Sequence, residues 1–180
     1  LEEFENTSAV IEPTDTSIRG GGETCNTLIL SFNGEIIKRV AELENVYEGG
    51  ALHNLNSRLP WYIYEESGVR VGVMLASIGA SMIVGNLEEL KAKGFQNFIV
   101  FRTCGVLDRS IAVDKIILPS SALRDEGTSY HYAPASDEIS YHSELLLTME
   151  EALDQAGIEH VRTKTWTTDA FYRETAAKVK

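Results

Sequence analysis

The alternation of short apolar runs with amphipathic stretches is what most constrains the fold of this chain. Residues 27–32 and 97–101 are nearly continuous apolar runs, residues 113–118 form another apolar strand, and residues 158–163 read as a strand without that continuity. Such runs mark strands buried on both faces, as in a parallel sheet, and 97–101 is expected as a central one. Between them lie stretches with helical period. Residues 35–43 carry apolar side chains at 36, 37, 40, 41 and 43. Residues 81–93 stop at Gly94 and residues 144–156 at Gly157, each glycine standing where a helix ends. Residues 61–65 and 69–76 flank Glu66-Ser-Gly68 and predict a hairpin. Residues 47–60 read as loop, and a last helix is expected from Asp169 onward, capped by Thr168 or Asp169. Strands alternating with helices define an α/β class, with a mainly parallel, mixed central sheet flanked by helices in three layers.

Residues 1–26 are polar, with Pro13 and the run Gly20–Gly22, and read as an N-terminal arm and flexible loop. Residues 27–180 read as a single α/β domain. The last helical stretch reaches Lys180 without a terminating signal, so this domain is expected to lack its C-terminal part. The net charge of −11, from 27 acids against 16 Lys and Arg, argues against binding to a nucleic acid polymer, which needs a basic face. A local pocket for a small anion remains compatible with an acidic protein. No apolar run approaches the length of a membrane span, so no membrane partner is expected, and no signal segment opens the chain. The two cysteines, Cys25 and Cys104, form no CxxC; Cys104 reads as buried and reduced, and the compartment as cytoplasm.

Four polar words stand just past apolar strands, where α/β sheets bind ligands. In Ser77-Ile-Gly79-Ala-Ser81, a glycine before a helix lets backbone approach an anion, although a plain turn explains it as well. In Phe101-Arg-Thr-Cys-Gly105, Arg102 and Thr103 offer a guanidinium fork and a hydroxyl to phosphate; an exposed arginine at a strand end is the competing reading. Arg124-Asp-Glu-Gly-Thr-Ser-Tyr-His-Tyr132 packs Arg124, Asp125, Glu126 and His131 together, as acid–base groups or as a hydrogen-bonded wall. We expect the wall, with Arg124 paired to a carboxylate and His131 hydrogen-bonded. Metal is not expected, because HxH, HExxH and cysteine clusters are missing. In Thr168-Asp-Ala-Phe-Tyr-Arg-Glu174, Phe171 and Tyr172 can stack a planar base, and Arg173 or Glu174 can bond its edge; the alternative is helix-start packing.

In order and in wording, these segments resemble the nucleoside phosphorylase superfamily, the purine nucleoside and uridine phosphorylase family, and in particular an uncharacterised bacterial branch of it. The resemblance spans residue 27 to the end. It rests on Asp125-Glu-Gly-Thr-Ser-Tyr-His131 and Thr168-Asp-Ala-Phe-Tyr-Arg-Glu174, with weaker matches at residues 73–90 and at Arg102-Thr-Cys-Gly105. It implies that fold, and phosphorolysis of a nucleoside to free base and ribose 1-phosphate, with phosphate as co-substrate and no metal or organic cofactor. By matched position Thr103 would bind phosphate, with Arg102 beside it and Gly79 in the turn. Phe171 would pack on base or ribose, with Asp169 in the same segment. Arg58 would match an arginine given to a neighbouring subunit's phosphate, which implies a homo-oligomer. Leu59-Pro-Trp-Tyr62 offers apolar contact surface for it, unless Trp61 packs into its own core. The family's first phosphate loop corresponds to Phe32-Asn-Gly-Glu-Ile36, without its glycine and arginine, and its main phosphate arginine falls at Val100. Hydrolysis by water and nucleoside binding without catalysis are the alternatives.

Overall fold

The computed structural model describes residues 4–16, 21–111 and 114–179; readings that fall on Glu2, Glu3, Gly20, Val113 and Lys180 lie outside the described residues. The chain divides into two compact units, Thr7–Thr103 and Cys104–Lys180, the second including Leu1–Asn6.

In chain order the Thr7–Thr103 unit holds α1 (Pro13–Thr16), β1 (Thr27–Ser31), α2 (Gly34–Ala41), β2 (Val46–His53), β3 (Arg58–Glu66), β4 (Val69–Leu75), α3 (Ala80–Lys93) and β5 (Asn97–Phe101). Its sheet has the order β2-β3-β4-β1-β5. β1 pairs in parallel with β4 and β5, while β2, β3 and β4 form an antiparallel meander. The predicted hairpin is there, turned by Ser67 and Gly68, both at positive φ, the conformation that matches strand twist. Leu28 and Leu30 of β1 are fully buried, in a core with Trp61, Ile63, Met74, Leu90 and Phe95. Trp61 and Phe95 meet edge to face at 5.8 Å. Trp61 is therefore a core residue, which corrects the expectation of an apolar contact surface there.

Two strand expectations also change. Residues 47–60 are not loop: β2 and the start of β3 fill most of them. Gly49 and Gly50 sit at a bulge between Glu48 and Gly50 where the Trp61 ring lies against the backbone. Pro60 is tolerated because pairing of β3 with β4 begins only at Trp61, so no bond of that ladder is lost. β5 is not central but the edge of its sheet. Ile99, Val100 and Phe101 are 46–47% exposed, because β5 has a neighbouring strand, β1, on one side only.

The second unit holds β6 (Ile116–Asp125), β7 (Glu138–Ser140), α4 (Ser143–Gln155), β8 (His160–Thr168) and α5 (Ala176–Val179), with single 3-10 turns at Thr128–His131 and Phe171–Arg173. The strand order is β7-β6-β8, with β6 parallel to β8 and antiparallel to β7. Leu146 of α4 and Leu118 of β6 are buried. β6 runs seven residues past the expected end at 118, through Pro119 and the two serines. A register shift between Pro119 and Ser121 absorbs the missing proline N–H, and pairing with β8 carries the strand on to Asp125. Both sheets are mixed and accompanied by helices, the α/β architecture expected. Among the described residues no helix is long and apolar enough to cross a membrane.

Candidate functional site

Both units place their polar words at the carboxyl ends of parallel strands. In the first unit Ser31 is in register with Leu75 on one side and with Phe101 on the other, so β4, β1 and β5 end level. The exits stay tied together: Ala76 N–H donates to Ser31 O at 2.9 Å, and Phe32 N–H to Phe101 O at 3.4 Å. After β4 the chain turns through Gly79, at φ 101°, directly into α3, whose first turn carries no acid. Asn86, buried on α3, holds that turn by donating to Ser77 Oγ at 2.9 Å. After β1, Asn33 caps α2 by accepting from Glu35 N–H at 2.9 Å. After β5, Arg102 and Thr103 are exposed. The guanidinium lies 5.3 Å from the centre of the Phe32 ring, and its Nε–H donates to Thr103 O at 3.2 Å. At a strand spacing of about 4.8 Å, the ends of β4 and β5, which lead to the Gly79 turn and to Arg102–Thr103, stand roughly 10 Å apart across β1. This edge offers backbone N–H groups, a guanidinium and a hydroxyl, the donors an oxyanion needs.

Arg58 begins β3, three strands from β5, or about 14 Å by the same spacing. Both its terminal nitrogens bind the Glu48 carboxylate, which raises the Arg58 pKa and holds Glu48 below the usual carboxylate range. Arg58 and Arg102 therefore do not converge within the unit. Val100, half-exposed on β5, supplies no charge. Cys104 is exposed rather than buried, because the chain leaves β5 as an irregular stretch instead of turning into a helix.

In the second unit Asp125 of β6 is in register with Thr168 of β8, so the two long polar words meet. Asp169 N–H donates to Asp125 O at 3.1 Å, and Gly127 N–H to Asp169 Oδ2 at 2.9 Å. Arg124 is buried, and its partners are not carboxylates. It donates to Ser129 Oγ at 2.8 Å, Pro134 O at 2.7 Å, Ser136 Oγ at 2.9 Å and Ala133 O at 3.4 Å, with its guanidinium 4.0 Å from the Tyr130 ring centre. The expected ion pair is replaced by neutral acceptors because residues 128–136 fold back around the guanidinium. Glu126 accepts Ser129 N–H at 3.0 Å, which steadies the 3-10 turn; His131 ends that turn and is exposed. The Asp125 carboxylate binds Lys178 Nζ at 2.8 and 3.0 Å and accepts Trp166 Nε1–H at 3.2 Å. Lys178 first, then the Thr168 hydroxyl, holds its pKa below the usual carboxylate range.

The helix expected from Asp169 does not form there. β8 runs to Thr168, the Asp169 side chain is spent on Gly127, and Ala170 and Glu174 have non-helical backbone angles. One 3-10 turn results, carrying Phe171, Tyr172 and Arg173, with Glu174 following. Phe171 is 61% and Tyr172 90% exposed, with ring centres 4.4 Å apart, so neither is a core residue. Lys178 and Trp166 escaped sequence reasoning. Trp166 shares a strand face with Thr168 by two-residue period, a signal available in advance, whereas nothing local links Lys178 to Asp125. Among the described residues no group of three or more His, Cys, Asp and Glu side chains is placed to hold a metal ion.

An α/β chain with its polar words at the carboxyl ends of parallel strands is built for a small ligand, and its family is shown directly. The chain belongs to the phosphorylase superfamily, whose sequence model matches residues 27–180. Among its relatives, a uridine phosphorylase of Thermococcus kodakarensis is 30% identical over 151 residues, 84% of this chain and 53% of the relative. A uridine phosphorylase of Haemophilus influenzae is 26% identical over 106 residues, 59% of this chain and 42% of the relative. The crystal structure of uridine phosphorylase from Vibrio fischeri ES114 shares the fold with a TM-score of 0.68 at 20% identity, covering 87% of this chain and 63% of that one. The chain spans about half the length of the curated relatives it matches.

Proposed function

We propose that this protein is a nucleoside phosphorylase, a pentosyltransferase that cleaves the N-glycosidic bond of a nucleoside with inorganic phosphate. A phosphate oxygen bonds to C1′, the bond from C1′ to the base nitrogen breaks, and its electron pair leaves with the base, which takes up a proton. The products are free base and ribose 1-phosphate. The transition state resembles an oxocarbenium ion, so rate comes from holding phosphate and sugar in line and from charge stabilisation. The observation that carries this reading is the level ending of β4, β1 and β5, with the Gly79 turn and the Arg102–Thr103 exit on one edge. Arg102 and Thr103 bind the anion, together with backbone at Gly79. Phe171 and Tyr172 face the base, and Arg173 or Glu174 bonds its edge. Arg124, Asp125, Glu126, His131 and Asp169 form the wall that supports them. Phosphate is the only co-substrate, and no metal or organic cofactor takes part.

Arg58 serves the phosphate of a second copy in a homo-oligomer, exchanging Glu48 for the anion. On this reading the reaction belongs to nucleoside catabolism and salvage in the cytoplasm. Hydrolysis is the second reading, supported by Val100 in place of the family's phosphate arginine. A panel of nucleosides assayed with and without phosphate tests both. Ribose 1-phosphate formed only with phosphate is expected; free ribose in its absence would favour hydrolysis. Binding without turnover would leave a nucleoside-binding protein.

A further inference from the structure

The segment that carries Phe171, Tyr172, Arg173 and Glu174 has almost nothing hydrophobic to hold it. Neither the 3-10 turn at Phe171–Arg173 nor α5 buries a residue, and a helix of four residues is unstable by itself. What holds the segment is polar and converges on the end of β6. At one end, Asp169 is fixed twice, by its N–H on Asp125 O at 3.1 Å and by Gly127 N–H on its carboxylate at 2.9 Å. At the other end, Lys178 Nζ reaches both carboxylate oxygens of Asp125, at 2.8 and 3.0 Å, and lies 6.0 Å from the centre of the Trp166 ring. Trp166 Nε1–H, on the same carboxylate at 3.2 Å, fixes its orientation.

We propose that Asp125 is a positioning residue: its carboxylate clips the chain at Lys178, and its backbone carbonyl clips it at Asp169, so that residues 170–177 are stretched between two fixed points. Asp125 does not touch the nucleoside; it acts through the segment that does. The proposal rests on the base-side reading of Phe171 and Tyr172 given above. It accounts for the acid at this strand end, and it assigns Lys178 a role.

Amide hydrogen exchange on the whole 180-residue chain tests the clip without reference to activity. Asp125→Asn keeps the shape and removes the charge, and Lys178→Gln removes the partner. Each is expected to speed exchange at residues 170–179 by about two- to fivefold, the scale of a half-exposed ion pair. The double variant should do no more than either alone, and Lys178→Arg should keep the wild-type rates. Titration calorimetry with uridine, inosine and inorganic phosphate supplies the second readout. Asp125→Asn should weaken whichever nucleoside binds by severalfold and leave phosphate affinity unchanged. Unchanged exchange at 170–179, additive effects in the double variant, or faster exchange throughout β6 and β8 would overturn the clip. Faster exchange with unchanged nucleoside affinity would reduce Asp125 to a structural pin and overturn positioning. If the wild-type chain binds neither nucleoside, the functional reading fails, while the exchange rates still decide the clip.

Discussion

The indole of Trp61 dictates which residues can stand beside it. A Cβ added at Gly50 would lie 2.4 Å from the Trp61 ring, and one at Gly49 2.6 Å from its nitrogen. Gly50→Ala should therefore cost about 1–3 kcal/mol of stability, read as a lowered urea midpoint. The sequence showed these glycines but not their reason, since the ring they accommodate lies on the next strand. Polar words announce themselves by composition, but the partners of a buried guanidinium depend on how the following loop folds; hence the carboxylate expected at Arg124 was wrong. The cysteines differ in a testable way. Cys104 is exposed, whereas Cys25 is half-buried, donates from Sγ to Thr27 O at 3.2 Å and has its pKa raised chiefly by desolvation. Iodoacetamide should label Cys104 first, and mass spectrometry at short times should find Cys25 largely unmodified. At Phe171, 61% exposed, truncation to alanine should leave the melting free energy within about 0.5 kcal/mol. The same change should weaken nucleoside binding roughly tenfold, the order of one lost stacking contact. A thermal melt beside a calorimetric titration reads both.

Among the elements, those with long periodic patterns were legible: β1, β4, α3 and α4 lie where apolar spacing and terminal glycines put them. Elements set by pairing were not. β2 and the extension of β6 exist because neighbouring strands supply hydrogen bonds that outweigh glycine, proline and serine preferences. The helix expected at Asp169 failed because its cap was taken by Gly127 across the strand end. That strand end is also where pH should act. Lys178 and Thr168 lower the folded pKa of Asp125, so its contribution to stability is present above the unfolded value of about 4 and disappears as pH falls through the folded one. Glu138 behaves likewise, with Lys164 as its first cause. The indole N–H resonance of Trp166 should hold steady from neutral pH down to about 4 and shift only below it. A shift centred near pH 6 would contradict the Asp125 contact.

For the whole molecule, the α/β class and the family follow from strand–helix alternation and from two long words in the right order. The division into two compact units left no such trace, because neither composition nor a linker changes at residue 103. The family match opens at Thr27, yet the first unit reaches back to Thr7. Between those limits Glu23, outside any strand, is hydrogen-bonded to the sheet. Its N–H donates to Gly49 O at 2.7 Å, its carbonyl accepts the Trp61 Nε1–H at 2.8 Å, and its carboxylate meets Arg70. A chain shortened to start at Thr27 would keep every residue of the family match and still lose the acceptor of its largest fully buried side chain. An orphaned buried donor costs about 1–3 kcal/mol, so the truncated chain should melt earlier and yield its Trp61 emission, isolated by Trp166→Phe, to acrylamide quenching. Homology thus marks where kinship becomes recognisable, while the acceptor that satisfies the buried tryptophan stands four residues earlier.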